Sequence, residues 1–294
     1  LINNINKVEV SPYISLQLFD SFVGSILNYA CPVWGFSKSK DIERVHLKFW
    51  KYILGVKKSS SNCAVYGELG RYPLYVNRYV YLVKYWLNLA NSKNIILNQI
   101  YQNSLLRCLD GIKNWTYNVK SLLEEYGFLY VFLNPTSVNA NTFLVIFKQR
   151  VLDCFKQKWY TNLNNNNVLN TLYVHLKTEL CFESYLSLIK SKYLRSNITR
   201  LRISAHSLRI ETGRYGRNRL ERNERLCQLC QNPNIEDEYH FILVCNVYHD
   251  IRIKFIKRYF YCRSSMYKLI EMLKSENVSI QRNLSKFVYL ANKK

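Results

Sequence analysis

Three cysteines and a histidine fall at Cys227-x2-Cys230-x9-His240-x4-Cys245, in a chain with five histidines altogether. Two Cys at x2 spacing form a tight knuckle whose thiolates can reach one ion, and the His and Cys that follow complete a tetrahedral Cys3His set. Four protein ligands leave no open position for water, so the Zn2+ this spacing implies is structural and has no Lewis-acid role. Asp237 can cap a helix starting near Glu238, with His240 at its start and Cys245 about one turn later. Five residues correspond to about 140° of rotation on an ideal helix, so the last ligand needs a local distortion. His249, four residues beyond Cys245, is an alternative fourth ligand. The competing reading, plain thiols and a surface histidine, has to explain why three Cys and one His crowd into residues 227–245.

A second group of residues could hold phosphates. Residues 191–226 carry ten basic and three acidic groups, and all but one of the basic ones are Arg. A helix from Asn197 to Glu211 would bury Ile198, Leu201, Ala205 and Leu208, and would line another face with Arg195, Arg202, His206 and Arg209. Guanidiniums in such a row can follow a phosphate backbone and bind it bidentately. Beyond them, Arg214, Tyr215, Arg217 and Arg219 stand among glycines, a composition suited to stacking on the exposed bases of single-stranded or folded RNA. The plainer alternative is a solvated helix and loop, with Arg214 paired to Glu211 and Arg222 or Arg225 to Glu221. Near the N-terminus, Arg44, Lys48 and Lys51 recur at i, i+4 and i+7, followed by Lys57 and Lys58.

The elements that must position these groups read as mostly α. Helical periodicity dominates, and nine Gly and five Pro interrupt it. One helix is expected over about 12–29, ended near Cys31-Pro32. Asp41 caps the next, which buries Ile42, Val45, Phe49, Tyr52 and Ile53 until Gly55 stops it. Pro73 opens a third with Val76, Val80, Val83 and Leu87 inward. Further helices are expected over about 94–108, 115–126, 140–160 and 170–192, with Asn-rich loops at 134–141 and 162–167. A last amphipathic helix, roughly 238–260, would bury Phe241, Val244, Tyr248, Ile251 and Phe255 and expose Arg252, Lys257 and Arg258. No strand alternation is sustained.

Composition narrows the function. The 294 residues carry 42 Lys plus Arg against 20 Asp plus Glu, a net +22, and the obvious partner is a polyanion. The six Asp are scattered, which removes most two-metal phosphoryl-transfer chemistry, since that needs clustered carboxylates. No Ser/His/Asp or Cys/His constellation suggests another catalyst. No stretch is apolar for long enough to span a bilayer, and nine scattered Cys argue for a reducing, intracellular compartment. Asn (31) and Tyr (24) have AT-rich codons, so the aromatic share is discounted before it is read as base-stacking surface. The chain opens at Leu1 without a Met and reads as a fragment of a longer reading frame.

Thr199 to Tyr215, Arg225 to Cys230 and Glu236 to Cys245 together resemble the C-terminal zinc-knuckle region of non-LTR (LINE-type) retrotransposon reverse transcriptases. Leu27 to Gly35, Ile42 to Phe49, Leu54 to Val56 and Tyr66 to Leu74 are similar to that family's thumb and the segment beyond it. The likeness spans most of 12–262, is weak across 95–195, and departs from the family at Cys31-Pro32-Val33. It implies a helical thumb-like region (1–110), a helical linker (111–190) and a basic helix with a CCHC zinc-knuckle unit (191–294). The parent would be an RNA-directed DNA polymerase copying element RNA at a nicked chromosomal target, and hence nuclear when acting on chromosomal DNA. Its palm, with the catalytic carboxylates, would lie upstream. No nuclease-type Asp followed by Asp/Glu-x-Lys comes after Cys245. By this resemblance the chain binds RNA and DNA, takes no small-molecule substrate and has no catalytic activity alone. Arg44, Lys48 and Lys51 would face the template–primer duplex. The alternative is a host-retained, zinc-dependent module for nucleic-acid binding or interaction, with no polymerase partner.

Overall fold

The computed structural model describes residues 10–165, 172–215, 219–230 and 233–294. It is mostly helical, as the periodicity predicts. Among the described residues no strand forms, and two isolated bridges join Leu69 to Phe182 and Leu226 to Ile235. No helix among them is long and apolar enough to cross a membrane. The chain divides into two compact units that are not sequential. One comprises Leu18–His46 and Tyr72–Trp159; the other comprises the segment ending at Gln17, Leu47–Arg71 and Tyr160–Lys294. Contacts therefore cut the chain differently from the expected boundaries at 110 and 190.

The first unit is built on α1 (Tyr75–Ala90), α2 (Ile95–Leu109), α3 (Trp115–Glu125) and α4 (Ala140–Asn164, as far as Trp159). On α1, Val76, Tyr79, Leu82, Val83, Trp86 and Leu87 recur at helical spacing and are buried. Aromatic rings fill this core: Trp86 stacks on Phe132 at 5.7 Å, and Phe128 meets Phe143 edge-on at 5.3 Å. Much of the aromatic content is thus packing. The asparagines also have local work. Asn94, Asn114 and Asn139 accept backbone N–H groups at the starts of α2, α3 and α4, as N-caps should.

In the second unit α5 (Lys192–Arg202) packs on α8 (Val278–Ala291), which also carries α6 (His249–Phe255), while α7 (Met266–Lys274) lies against the turn Tyr173–Leu176. The sequence marks α8 with an Asn277 cap on Ser279 and Ile280. The helix expected over 170–192 is replaced, among its described residues, by the turns Tyr173–Leu176 and Tyr185–Leu188. Between them lies buried Lys177, which bonds the Cys181 carbonyl at 2.6 Å and pairs with Glu183. The helix expected to reach Glu211 stops at Arg202, because Ser204 turns the chain with φ 53°.

That break accompanies the largest correction to the sequence reading. Arg195 and Arg202 do not line a solvent face with Arg209; both are buried. Arg195 donates to the Ile189 and Lys190 carbonyls at 2.8 and 3.0 Å. Arg202 pairs with Glu68 at 3.1 Å and Glu183 at 2.6 Å, donates to the Leu273 carbonyl, and lies 4.9 Å over the Tyr185 ring. Burial pulls the Arg202 guanidinium towards deprotonation, but Glu68 and Glu183 outweigh it and hold it charged. The signal was in the helix itself: at 100° per residue Arg195 and Arg202 both lie within about 60° of Ile198.

One glycine in this unit is required by space as well as by backbone. Gly70 has φ +59°, and a Cβ there would sit 2.3 Å from the Phe182 nitrogen, beside the bridge of Leu69 to Phe182. Gly70→Ala is expected to cost about 1–2 kcal/mol for the left-handed backbone and about 1–3 kcal/mol for the displaced strand-like contact. Gly111→Ala, with φ +84° and open space around it, should cost the backbone part alone in urea denaturation.

Candidate metal centre

The Cys3His residues converge. One ligand atom from each of Cys227, Cys230, His240 and Cys245 lies within 4.8 Å of every other, with Cys230 Sγ 3.3 Å from His240 Nε2. Tetrahedral zinc needs ligand-to-ligand distances of about 3.4–3.8 Å, given Zn–S of about 2.3 Å and Zn–N of about 2.0–2.1 Å. A sub-ångström to ångström contraction closes the set, so the donors fit the ion. His249 is exposed and outside the cluster; Cys245 takes the fourth place in it.

Two local structures bring the ligands together. The first is a short hairpin held by the Leu226–Ile235 bridge, Cys227 N–H on the Asn234 carbonyl at 2.8 Å and Glu236 N–H on the Arg225 carbonyl at 2.9 Å. At its tip the backbone N–H groups of Leu229 and Cys230 point at the Cys227 sulfur, as a metal-bound thiolate requires. The second is a helical start capped by Asp237, whose Oδ1 accepts the His240 N–H at 2.8 Å. The chain then forms a π turn over His240–Val244, closed by the Cys245 N–H on the His240 carbonyl at 2.7 Å. This wider turn is the distortion that x4 spacing demands, since it brings i and i+5 towards one side. The expected continuous helix to 260 is consequently broken at Cys245 and resumes as α6.

Arg252, expected on the outer face of that helix, is buried instead and fastens the turn. Its Nε donates to the Ile242 carbonyl and its Nη2 to the Cys245 carbonyl, both at 2.7 Å. A zinc ion held by three thiolates and one imidazole would carry a net charge of −1, which the Arg252 cation would balance. Burial, reinforced by Arg252, lowers the His240 pKa, which keeps the imidazole neutral and able to ligate. Burial pushes the Cys245 thiol up to about 12, opposed by the Val247 N–H and reinforced by Cys227 and Cys230, and a bound cation would favour the thiolate against this.

The basic block docks on this centre. Glu236 accepts the Arg209 N–H at 3.0 Å through Oε2, and its carbonyl accepts the Ile210 N–H at 3.1 Å. Glu238 pairs with His206 Nε2 at 2.8 Å; burial opposes its ionisation, but His206 prevails and holds its carboxyl below the usual value. His206 is thus engaged in holding the fold. Arg225 spans the Leu220 and Ile210 carbonyls, and Arg214 pairs with Glu211 at 3.0 Å. No ion pair of Arg222 or Arg225 with Glu221 forms among the described residues. Arg209 is half-buried, Tyr215 and Arg219 are exposed, and Arg217 lies outside the described residues.

Of the N-terminal row, Arg44 is exposed and 3.3 Å from Asp41, and Lys48 is exposed. Lys51 is buried and donates to the Lys58 carbonyl at 2.7 Å, with burial lowering its pKa. The helix Lys40–Leu54 is rotated from the expected register because fully buried Trp50 turns inward against Tyr66 while Val45 turns out. Two exposed cations that the sequence reading left out stand on α5. Lys192 Nζ lies 3.7 Å over the Tyr52 ring, and Arg200 Nε donates to the Gly55 carbonyl at 2.8 Å. Arg200 and Lys57 line one cavity of this unit, and Lys58 beside Lys57 is exposed as well. The signal of Lys192 and Arg200 was their position on the helix side away from Ile198 and Leu201.

Compared with models of known families, with curated proteins and with solved structures, the chain gives no match in any of the three.

Proposed function

We propose that this chain holds nucleic acid without acting on it, and that it is the C-terminal part of a non-LTR retrotransposon reverse transcriptase, gripping template RNA and primer or target DNA in the nucleus. The assembled Cys3His cluster carries the reading: a zinc-fixed hairpin with the Arg-rich segment docked on it, in a chain of net charge +22. Zinc supplies folding energy here, through Cys227, Cys230, His240 and Cys245. The exposed cations Lys57, Lys58, Lys192 and Arg200, together with Lys48, supply the phosphate contacts. Arg195, Arg202, His206 and Lys51 hold those cations in place through buried bonds.

The test is a salt titration of binding to an RNA template annealed to a DNA primer. A surface that neutralises about four phosphates should lose about 10²-fold in affinity between 50 and 200 mM salt. The Lys192→Gln, Arg200→Gln double variant should flatten the log–log slope by about one to two. Binding that is absent, or indifferent to salt, contradicts the reading.

A further inference from the structure

Where α5 ends, the chain makes room for a ligand. A cavity of about 500 Å³ opens between the Ser59–Ser61 turn on one side and the segment from Ile203 to His206 on the other, with Thr212 and Tyr215 at its edge. That volume lies within the range of small-molecule sites. The wall turns sharply at Ser204, a non-glycine residue held at φ 53° with its hydroxyl against Glu238.

Charge and hydrogen bonding inside the cavity are uneven. Its Glu211 is paired with Arg214 and its His206 with Glu238, whereas Lys57 is exposed and has no ion pair among the described residues. Ser60 Oγ is buried and makes no hydrogen bond, next to the hydroxyls of Ser59 and Ser61. A cation with adjacent hydroxyl donors suits a phosphate oxygen. At the edge, the Tyr215 ring is 64% exposed and free to take a flat partner. A smaller cavity of about 220 Å³ shares Lys57, Ala205 and His206 with the first and adds Arg200 and Asn292. Two adjoining cavities with a cation between them match a polymer of ring and phosphate units better than a lone small molecule.

We propose that the larger cavity takes one unstacked nucleotide of a single-stranded nucleic acid, its base on Tyr215 and its phosphate at Lys57 and the Ser59–Ser61 hydroxyls. This rests on the nucleic-acid-holding reading and gives it a place and a strand preference. Every base has a π face, so the site is tolerant of sequence. It separates single strands, whose bases can leave the stack, from duplexes, whose bases are engaged.

The experiment uses the full zinc-loaded chain and fluorescence anisotropy with a labelled 12-mer oligouridylate and a blunt RNA duplex of equal length. Tyr215→Leu should weaken single-strand binding about tenfold and duplex binding less than twofold; Lys57→Gln, which also removes one cation of the general phosphate-binding surface, should weaken both forms, the single strand about tenfold and the duplex less. Both side chains are exposed, so melting temperature and zinc content should stay unchanged; Ser60→Val, at a part-buried position, serves as the third variant. Free uridine monophosphate should displace the oligonucleotide at lower concentration than inorganic phosphate does. Wild-type affinity for the single strand in both the Tyr215 and Lys57 variants, or equal displacement by phosphate and nucleotide, overturns the nucleotide site and leaves the broader reading standing. A wild-type chain that binds neither strand form overturns both.

Discussion

Removing zinc is expected to melt the C-terminal hairpin and loosen the basic block, while the unit built on Tyr75–Ala90 keeps its structure. Structural zinc in small domains contributes about 10–16 kcal/mol at neutral pH, which matches or exceeds the whole stability of an ordinary domain. Without the ion, Cys227, Cys230 and Cys245 return to thiols, and the Leu226–Ile235 bridge is left to hold a short hairpin alone. Arg209 and Ile210 then lose the anchorage of Glu236. The apolar side of the π turn, with Phe241 at 5.8 Å from Phe287 and 5.0 Å from Tyr248, loosens from α8. Hydrogen exchange reads this residue by residue: protection at Cys227, Glu236 and Ile210 should vanish with a chelator, while Val119, Leu123 and Val151 in the other core stay protected. Cys245→Ser should reproduce the chelated pattern. Unchanged exchange in the hairpin after metal removal would show that the cluster is four unligated side chains.

Arg202→Met is expected to destabilise the second unit by about 3–5 kcal/mol, because it leaves buried Glu68 without its cation and takes from Glu183 one of its two, the other being Lys177. Glu68 is completely buried and also accepts the Tyr185 hydroxyl at 2.6 Å, so it cannot recruit water easily. Arg202→Lys should recover little: one ammonium cannot serve Glu68, Glu183 and the Leu273 carbonyl from the places a guanidinium fork reaches. Adding Glu68→Gln to Arg202→Met should restore a large part of the loss, since the uncompensated buried charge is then gone while Glu183 stays paired with Lys177. Urea denaturation measures each variant. If Arg202→Met instead costs below about 1 kcal/mol and weakens nucleic-acid binding, the guanidinium works at the surface and the buried assignment fails.

The Cys3His cluster was the most legible part of the molecule. Its residue types and spacing are local, and even the need for a distorted turn between His240 and Cys245 followed from helix geometry. Helix existence was legible for the same reason, with α1 and the helix Lys40–Leu54 close to their expected limits. What the sequence concealed is long-range. Nothing near Glu68 announces Arg202, 134 positions away, as its partner. Without that partner a guanidinium reads as a surface charge, and the charge density of 191–226 made the misreading natural. The register of Lys40–Leu54 failed differently: Trp50 buries more area than Val45, and tertiary packing against Tyr66 decided which face turned inward. Contacts also join segments distant in sequence, 47–71 with 160–294, an association that no local pattern announces.

The assignment of a structural Cys3His zinc centre underlies the hairpin, the docked basic block and the cation surface alike. Zinc K-edge X-ray absorption on the purified chain, with metal content measured on the same sample, tests it most directly. One zinc per chain is expected, with three sulfur neighbours at about 2.3 Å and one imidazole nitrogen at about 2.0–2.1 Å. A shell of oxygen and nitrogen neighbours, or a chain that holds no zinc and retains its fold, would contradict it.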